Sequence, residues 1–351
     1  MADGGSVIDP QDRGAVHALP APYLLFLGDV VEAGFAKTAF GLRDWAGERC
    51  IGEHALSAAT VTTGLPRMTP AEAAARGARA MVIGVANPGG IIPPAWIPAL
   101  LAAIEAGLDL VAGMHARLID IPPLRDAAAG AGTRLIDLRV PPAGLPLATG
   151  RKRTGRRLLT VGTDCALGKK YAALAIARGL LARGVDATFR ASGQTGIMIA
   201  GRGIAMDAVV ADFAAGAAEQ LSPDAAPDHI DVIEGQGSLT HPAFAGVSLA
   251  LLHGSQPDML IVCHEPGRQT LLGYPGFPVP TIETVIEQAV MLGRLTNPAV
   301  RCVGVSLNTA GMSADDAYRA IASTGARLNL PAADPIRGGA QFERLLDACQ
   351  R

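Results

Sequence analysis

Four short segments hold most of the chain's reactive side chains, and each follows an apolar run. The first reads Gly162-Thr163-Asp164-Cys165-Ala166-Leu167-Gly168-Lys169-Lys170-Tyr171, with Leu158-Leu159-Thr160-Val161 before it and an Ala/Leu-rich stretch after it. A strand that enters a Gly-bounded loop and opens a helix turns successive backbone N–H groups inward. Together with the helix N-terminus these groups form an anion cradle. Lys169 adds a point charge for phosphate oxygens. Loops of this kind that hydrolyse nucleotides place Ser or Thr directly after the lysine, as a magnesium ligand. Lys170 and Tyr171 stand there instead, so the expectation is phosphate binding without hydrolysis, with a second cation beside the phosphates. Coenzyme A, with its pyrophosphate and 3′-phosphate, suits such a loop.

The second segment, Asp231-Val232-Ile233-Glu234-Gly235-Gln236-Gly237-Ser238-Leu239-Thr240-His241-Pro242, runs from an apolar strand into an acid and a Gly-x-Gly turn. Glu234 is suited to serve a metal, to accept a proton from a substrate amine, or simply to cap the turn. His241 titrates in the right range for a base; the plainer reading is a turn histidine held by Pro242. The third segment, from Arg190 through Ser192, Gln194 and Thr195 to Arg202, reads as a polar Gly-rich loop at a strand end. Ligands in open α/β sheets bind outside the carboxyl ends of strands, and Arg recognises carboxylate or phosphate in a bidentate manner. Arg190, Ser192, Gln194, Thr195, Arg202, Gln236 and Ser238 are therefore the candidate substrate contacts, although either arginine would serve equally to brace the loops. The fourth, Cys263-His264-Glu265-Pro266-Gly267-Arg268, has three ionisable groups but no third ligand at metal-site spacing. The candidate catalytic set is Glu234, His241 and His264, with no metal assigned.

Those segments need strands and helices to position them. Apolar runs at 23–28, 81–85, 108–112, 158–162, 187–191, 230–233, 259–263 and 300–307 read as buried strands. Helical composition fills 70–79, 95–106, 171–183, 208–221, 281–295 and 313–323. Short apolar runs alternating with longer helices predict α/β architecture with mainly parallel sheets. Asn308, after the last of these strands, stands where related enzymes read the nucleotide base. A Pro-rich, basic connection at 140–157 has the composition of a linker, dividing the chain into 1–150 and 151–351.

With 351 residues, 49% hydrophobic and 18% charged, the chain has enough apolar surface for two cores. Thirty basic residues against 32 acidic ones, and 4% aromatics, argue against nucleic acid as a partner. The first residues lack a secretory pattern, no stretch suits a membrane helix, and the five scattered cysteines form no C-x-x-C pair. A cytoplasmic protein acting on a small molecule, without a membrane partner, is expected. Its Ala-rich helices are suited to packing in a homo-oligomer.

The longer loop form, beginning Gly-Thr-Asp, resembles the P-loop of dethiobiotin synthetase and its relatives. Beyond it, GTDCALGKK, SGQTGIMIAGRGIAMDAVVADF, IEGQGSLTHPAFAGVSLALLHGSQPD and CHEPGR are similar to a bacterial two-domain family whose assigned branch is D-glutamate N-acetyltransferase. YLLFLGD, MTPAEAAARGARAMVIGVANPGG and AGLDLVAGMHARLID carry the resemblance into the N-terminal half, and VGVSLNTAGMS near the C-terminus. The resemblance implies a Rossmann-like N-terminal domain, a P-loop NTPase-like C-terminal domain, and acetyl transfer from acetyl-CoA to the amine of D-glutamate. The alternative is a Mg-ATP-dependent ligase or kinase acting on an amine or carboxylate, which Lys170 and Tyr171 disfavour.

Overall fold

The computed structural model describes residues 19–351. The chain divides into two compact units, one ending at Pro141 but including Gln194–Ala208, the other made of Pro142–Gly193 and Val209–Arg351.

The first unit contains β1 (Tyr23–Gly28), α1 (Lys37–Trp45), β2 (Cys50–Ala55), α2 (Pro70–Ala75), β3 (Ala80–Ile83), α3 (Ile97–Glu105), β4 (Asp109–Ala112), α4 (Pro122–Ala131) and β5 (Leu135–Asp137). Its sheet runs β2-β1-β3-β4-β5, parallel throughout. Every residue of β1 and β3 is buried, as expected of continuous apolar strands covered on both faces. Helix α2 starts where Thr69 and Glu72 form a reciprocal capping box with Pro70 in the first turn. Trp96 seals the core edge-on against Phe26 at 5.3 Å, and its indole N–H donates to Asp29 at 2.9 Å.

The second unit begins with β6 (Arg156–Gly162), α5 (Lys169–Ala182) and β7 (Ala187–Arg190). The chain then supplies α6 (Gln194–Ala200) to the first unit and returns with α7 (Ala211–Leu221) and β8 (Ile230–Ile233). Next come α8 (Ala245–Ser255), β9 (Met259–His264), a hairpin of β10 (Thr270–Leu271) and β11 (Tyr274–Pro278), and α9 (Ile282–Gly293). β12 (Arg301–Leu307), α10 (Ala314–Leu328), β13 (Ala332–Ala333) and α11 (Gly339–Gln350) complete it. The sheet order is β13-β12-β9-β6-β8-β7, again parallel. β6 lies between β8 and β9, at the point where successive connections turn to opposite sides of the sheet. That switch point is where open α/β sheets bind ligands.

Two sequence expectations change. The stretch from Ser192 to Arg202 is not a continuous loop, because Gln194–Ala200 is helical and Gln194, Thr195 and Arg202 belong with the first unit. There Thr195 Oγ1 lies 3.1 Å from Thr38 Oγ1. The basic run at 140–157, read as a linker with the boundary at residue 150, instead belongs to the second unit from Pro142 onward. Arg157 has no solvent exposure and donates to the carbonyl oxygens of Arg153, Thr154, Gly155, Ser222 and Pro223. Burial pushes the neighbouring Arg153 guanidinium down to about 10.

His229 gives this unit a pH-dependent element. Its buried ring lies 2.9 Å from Asp186 through Nδ1 and 3.2 Å from Asp231 through Nε2, and the Asp231 hydrogen bond leads in holding its titration above the ordinary value. The resulting stabilisation is complete below about pH 6.5 and is lost as pH rises through the folded-state value. Urea midpoints should therefore fall between about pH 6 and about pH 9 in the wild type more steeply than in His229→Gln. Parallel profiles would exclude an imidazolium at this position.

Candidate functional site

At the carboxyl end of β6 the loop 163–168 closes on α5. Ala166 and Gly168 have φ of +53° and +99°, the left-handed conformations that curl such a loop around an anion. Lys169 is buried, and its ammonium donates to the Asp164 carbonyl oxygen at 2.7 Å, while burial lowers its pKa. The Asp164 carboxylate has no solvent exposure. Oδ1 accepts from Cys165 N at 2.6 Å, and Oδ2 accepts from Arg268 at 2.9 Å and from Leu272 N at 2.8 Å. Arg268 also donates to the Cys165 carbonyl at 2.9 Å. The segment after β9 thus fixes the loop from outside.

The loop after β8 approaches β6 very closely. A Cβ on Gly235 would lie 1.7 Å from the Thr160 carbonyl oxygen, so only glycine fits. Glu234 is consequently buried, and its Oε2 accepts from Ser192 N and Gly193 N, each at 3.0 Å. Burial raises its pKa, and the Lys170 ammonium is the strongest opposing influence. Lys170 also sits 4.4 Å from the centroid of the Tyr171 ring. Gln236 donates to Ser192 Oγ at 3.0 Å, and Ser238 Oγ lies 3.1 Å from Thr240 Oγ1.

His264, the last residue of β9, places Nδ1 2.9 Å from Thr163 Oγ1. Burial lowers its pKa, followed by the positive charge of Arg327. It borders an open cleft of about 600 Å³ that Arg268, Thr281 and Arg327 also line; ligand sites commonly fall in this size range. Asn308 follows β12 and donates its backbone N–H to the His264 carbonyl at 2.8 Å.

Glu234, His241, His264 and the loop residues from Gly162 to Tyr171 therefore occupy one unit, as do Ser192, Gln236, Ser238 and Asn308. Arg190, a candidate substrate contact, is buried, and its Nε donates to Asp231 on the adjacent strand at 2.6 Å, which braces the sheet. Sequence reasoning missed Arg268 and Arg327. The CHEPGR signal could have revealed the first, but Arg327 lies at the end of α10 with no motif around it. The structure also places an Asp164 carboxylate oxygen, the Cys165 sulfur and a ring nitrogen of His241 within 4.8 Å of one another.

A Rossmann-like unit with a parallel sheet, paired with a P-loop unit whose strand ends gather buried charge, defines a two-domain α/β protein. Residues 48–141 match the family described as "Domain of unknown function (DUF1611_N) Rossmann-like domain", and residues 146–346 match "Domain of unknown function (DUF1611_C) P-loop domain". The chain belongs to the DUF1611 family, and the resemblance drawn from its motifs holds over more than nine-tenths of its length. It is 47% identical over 330 residues to a D-glutamate N-acetyltransferase of Tritonibacter scottomollicae, covering 94% of this chain and 98% of that one. It is 45% identical over 318 residues to a protein of the same name from Pseudoalteromonas sp, covering 91% and 96%. The crystal structure of a DUF1611 family protein from Anabaena variabilis is similar at a TM-score of 0.81 and 34% identity, covering 93% and 98% of the two chains. Among the described residues, no helix is long and apolar enough to cross a membrane.

The Gly235 approach makes a direct prediction. Gly235→Ala should destabilise the protein by about 3 kcal/mol, because β6 and β8 must part to admit a methyl group. Urea unfolding checks this, and an unchanged midpoint would mean that the loop is free to withdraw from β6.

Proposed function

We propose that this protein is an N-acetyltransferase that moves the acetyl group of acetyl-CoA to the amine of D-glutamate, in the cytoplasm. The observation that carries the phosphate role is the loop 163–168, curled onto α5 through Ala166 and Gly168, with Lys170 standing where a hydrolytic loop places its hydroxyl. A magnesium-dependent P-loop puts a hydroxyl and a strand-end acid around the metal. In this chain a lysine takes the hydroxyl's position in the sequence, and the strand-end acid is buried with its pKa raised, so the usual magnesium ligands are not both present as a hydroxyl and a free carboxylate. Such a loop is suited to hold the pyrophosphate of CoA without cleaving it. The acceptor and its chemistry rest on the names of the two relatives, each matched over nearly its whole length.

In this reading Lys169, Lys170 and the loop N–H groups bind the CoA phosphates. His264 is the general base. With Nδ1–H donating to Thr163, Nε2 keeps the ring's lone pair. The cleft that His264 borders is lined by Arg268, paired with Asp164 and Glu265, and by Arg327, paired with Glu283. An anionic acceptor would draw on these arginines in competition with those carboxylates. Its depressed pKa keeps the ring neutral at physiological pH, the form that accepts a proton from the substrate ammonium. The freed amine attacks the thioester carbonyl, and the tetrahedral intermediate collapses with cleavage of the C–S bond; the nitrogen loses its second proton as the amide forms, and the departing CoA thiolate takes that proton up.

Mixing the protein with acetyl-CoA and each enantiomer of glutamate, without nucleotide or magnesium, tests the reading through free-thiol release. Release with D-glutamate, lost in Lys169→Ala, is expected. No release, with ATP hydrolysis appearing on addition of magnesium and an amine, would favour the ligase. His264→Gln should lower kcat/KM by about 10²- to 10⁴-fold. In the wild type, kcat/KM should fall as pH drops through a value below about 6.5, and that limb should vanish in the variant.

A further inference from the structure

His241 is set up differently from His264. The ring is 1% exposed, stacks on Phe244 at 4.7 Å, and meets the edge of Tyr274 at 4.9 Å, so its orientation is fixed by packing. Nδ1 accepts the Ala243 backbone N–H at 3.2 Å. A neutral imidazole whose Nδ1 is an acceptor carries its proton on Nε2. That Nε2 is buried and has no hydrogen-bond partner. Its nearest charged neighbour, Asp164 Oδ1, is 3.9 Å away and already accepts from Cys165 N at 2.6 Å.

This arrangement offers a donor to an acceptor atom and no ligand to a cation. A metal bound at Nε2 would need a lone pair there, and with Nδ1 accepting from Ala243 N the neutral ring has none at Nε2. A general base would also need that lone pair, so His241 does not fill the role its sequence position suggested. A buried N–H beside an anion-cradling loop lacks one thing, an acceptor oxygen.

We propose that His241 Nε2–H donates to a phosphate oxygen of the CoA held in the 163–168 loop, making it a ligand-binding residue of the phosphate site. The inference deepens the reading above and depends on the loop binding CoA. The donor is neutral, so it adds direction instead of net charge.

Calorimetric titration with CoA tests this across wild type, Lys169→Ala, His241→Phe and His241→Gln. Phe retains the packing against Phe244 and Tyr274 but removes the donor; Gln restores an N–H at similar reach. Affinity should fall about tenfold or more in His241→Phe and stay within about threefold of wild type in His241→Gln. If His241→Phe binds CoA as tightly as wild type, the inference is overturned, whatever happens to turnover; a fall in kcat alone would place the donor on the oxyanion instead. If the wild type itself does not bind CoA, the proposed function fails first. Loss of CoA in Lys169→Ala with retention in His241→Phe sinks this inference alone. Should the variants not fold, ¹⁵N-histidine spectra of the wild-type protein decide. A protonated Nε2 whose N–H resonance moves downfield on adding CoA supports the proposal, and an Nδ1–H tautomer or an unmoved resonance refutes it.

Discussion

The buried carboxylate of Asp164 is the constraint on which the rest of the site depends. A charge with no solvent exposure is tolerated only when its lone pairs are satisfied. Here two backbone N–H groups and a guanidinium do so: Cys165 N closes the loop on itself, and Arg268 and Leu272 N tie the segment after β9 to it. The same residue's carbonyl receives the Lys169 ammonium. Loop shape, the placement of the first lysine and the docking of the segment from Arg268 to Leu272 are thus one electrostatic problem with one solution. Removing the carboxylate would leave two backbone N–H groups without their acceptor and Arg268 with only Glu265 and the Cys165 carbonyl.

Around that hub the site uses its two lysines differently. Lys169 is enclosed and donates to the backbone, whereas the charge of Lys170 only partly opposes the burial that raises the Glu234 pKa. An ammonium cannot be lost to a chelator, and it does not orient a water for attack as a hydrated magnesium does. This chain thus departs from the hydrolytic pattern at Lys170 while keeping the left-handed turns that shape the loop. The two histidines likewise differ through one neighbour each: a threonine hydroxyl beside His264 leaves either tautomer open, and a backbone N–H beside His241 closes one.

Much of the fold was legible because buried parallel strands are written as unbroken apolar runs. β1 and β8 coincide with the runs at 23–28 and 230–233. β2 escaped because Glu53 and His54 interrupt it; Glu53 is fully buried, satisfied by Thr63 and Arg67, which sequence alone does not reveal. α8 escaped because its small and apolar residues face several directions and show no stripe. The anion loop and its strand were readable from local spacing. The fate of Arg190 was not, since its partner Asp231 lies on the adjacent strand and only register brings them together. The tautomer of His241 depends on a backbone N–H two residues away, and side-chain type says nothing about where that N–H points.

The excursion of residues Gln194–Ala208 bears on how the chain is made. The first unit takes its last helix from sequence that follows β7 of the second, where Thr195 meets Thr38 and Gln194 crowds Gly113. On a ribosome, the amino-terminal unit cannot be completed when its own five strands have emerged; it waits for a segment synthesised more than fifty residues after Pro141. The second unit is likewise interrupted, so its β7 and α7 are separated by chain that folds elsewhere. Neither unit is a contiguous cassette, and a gene cut at the apparent linker would release two incomplete proteins.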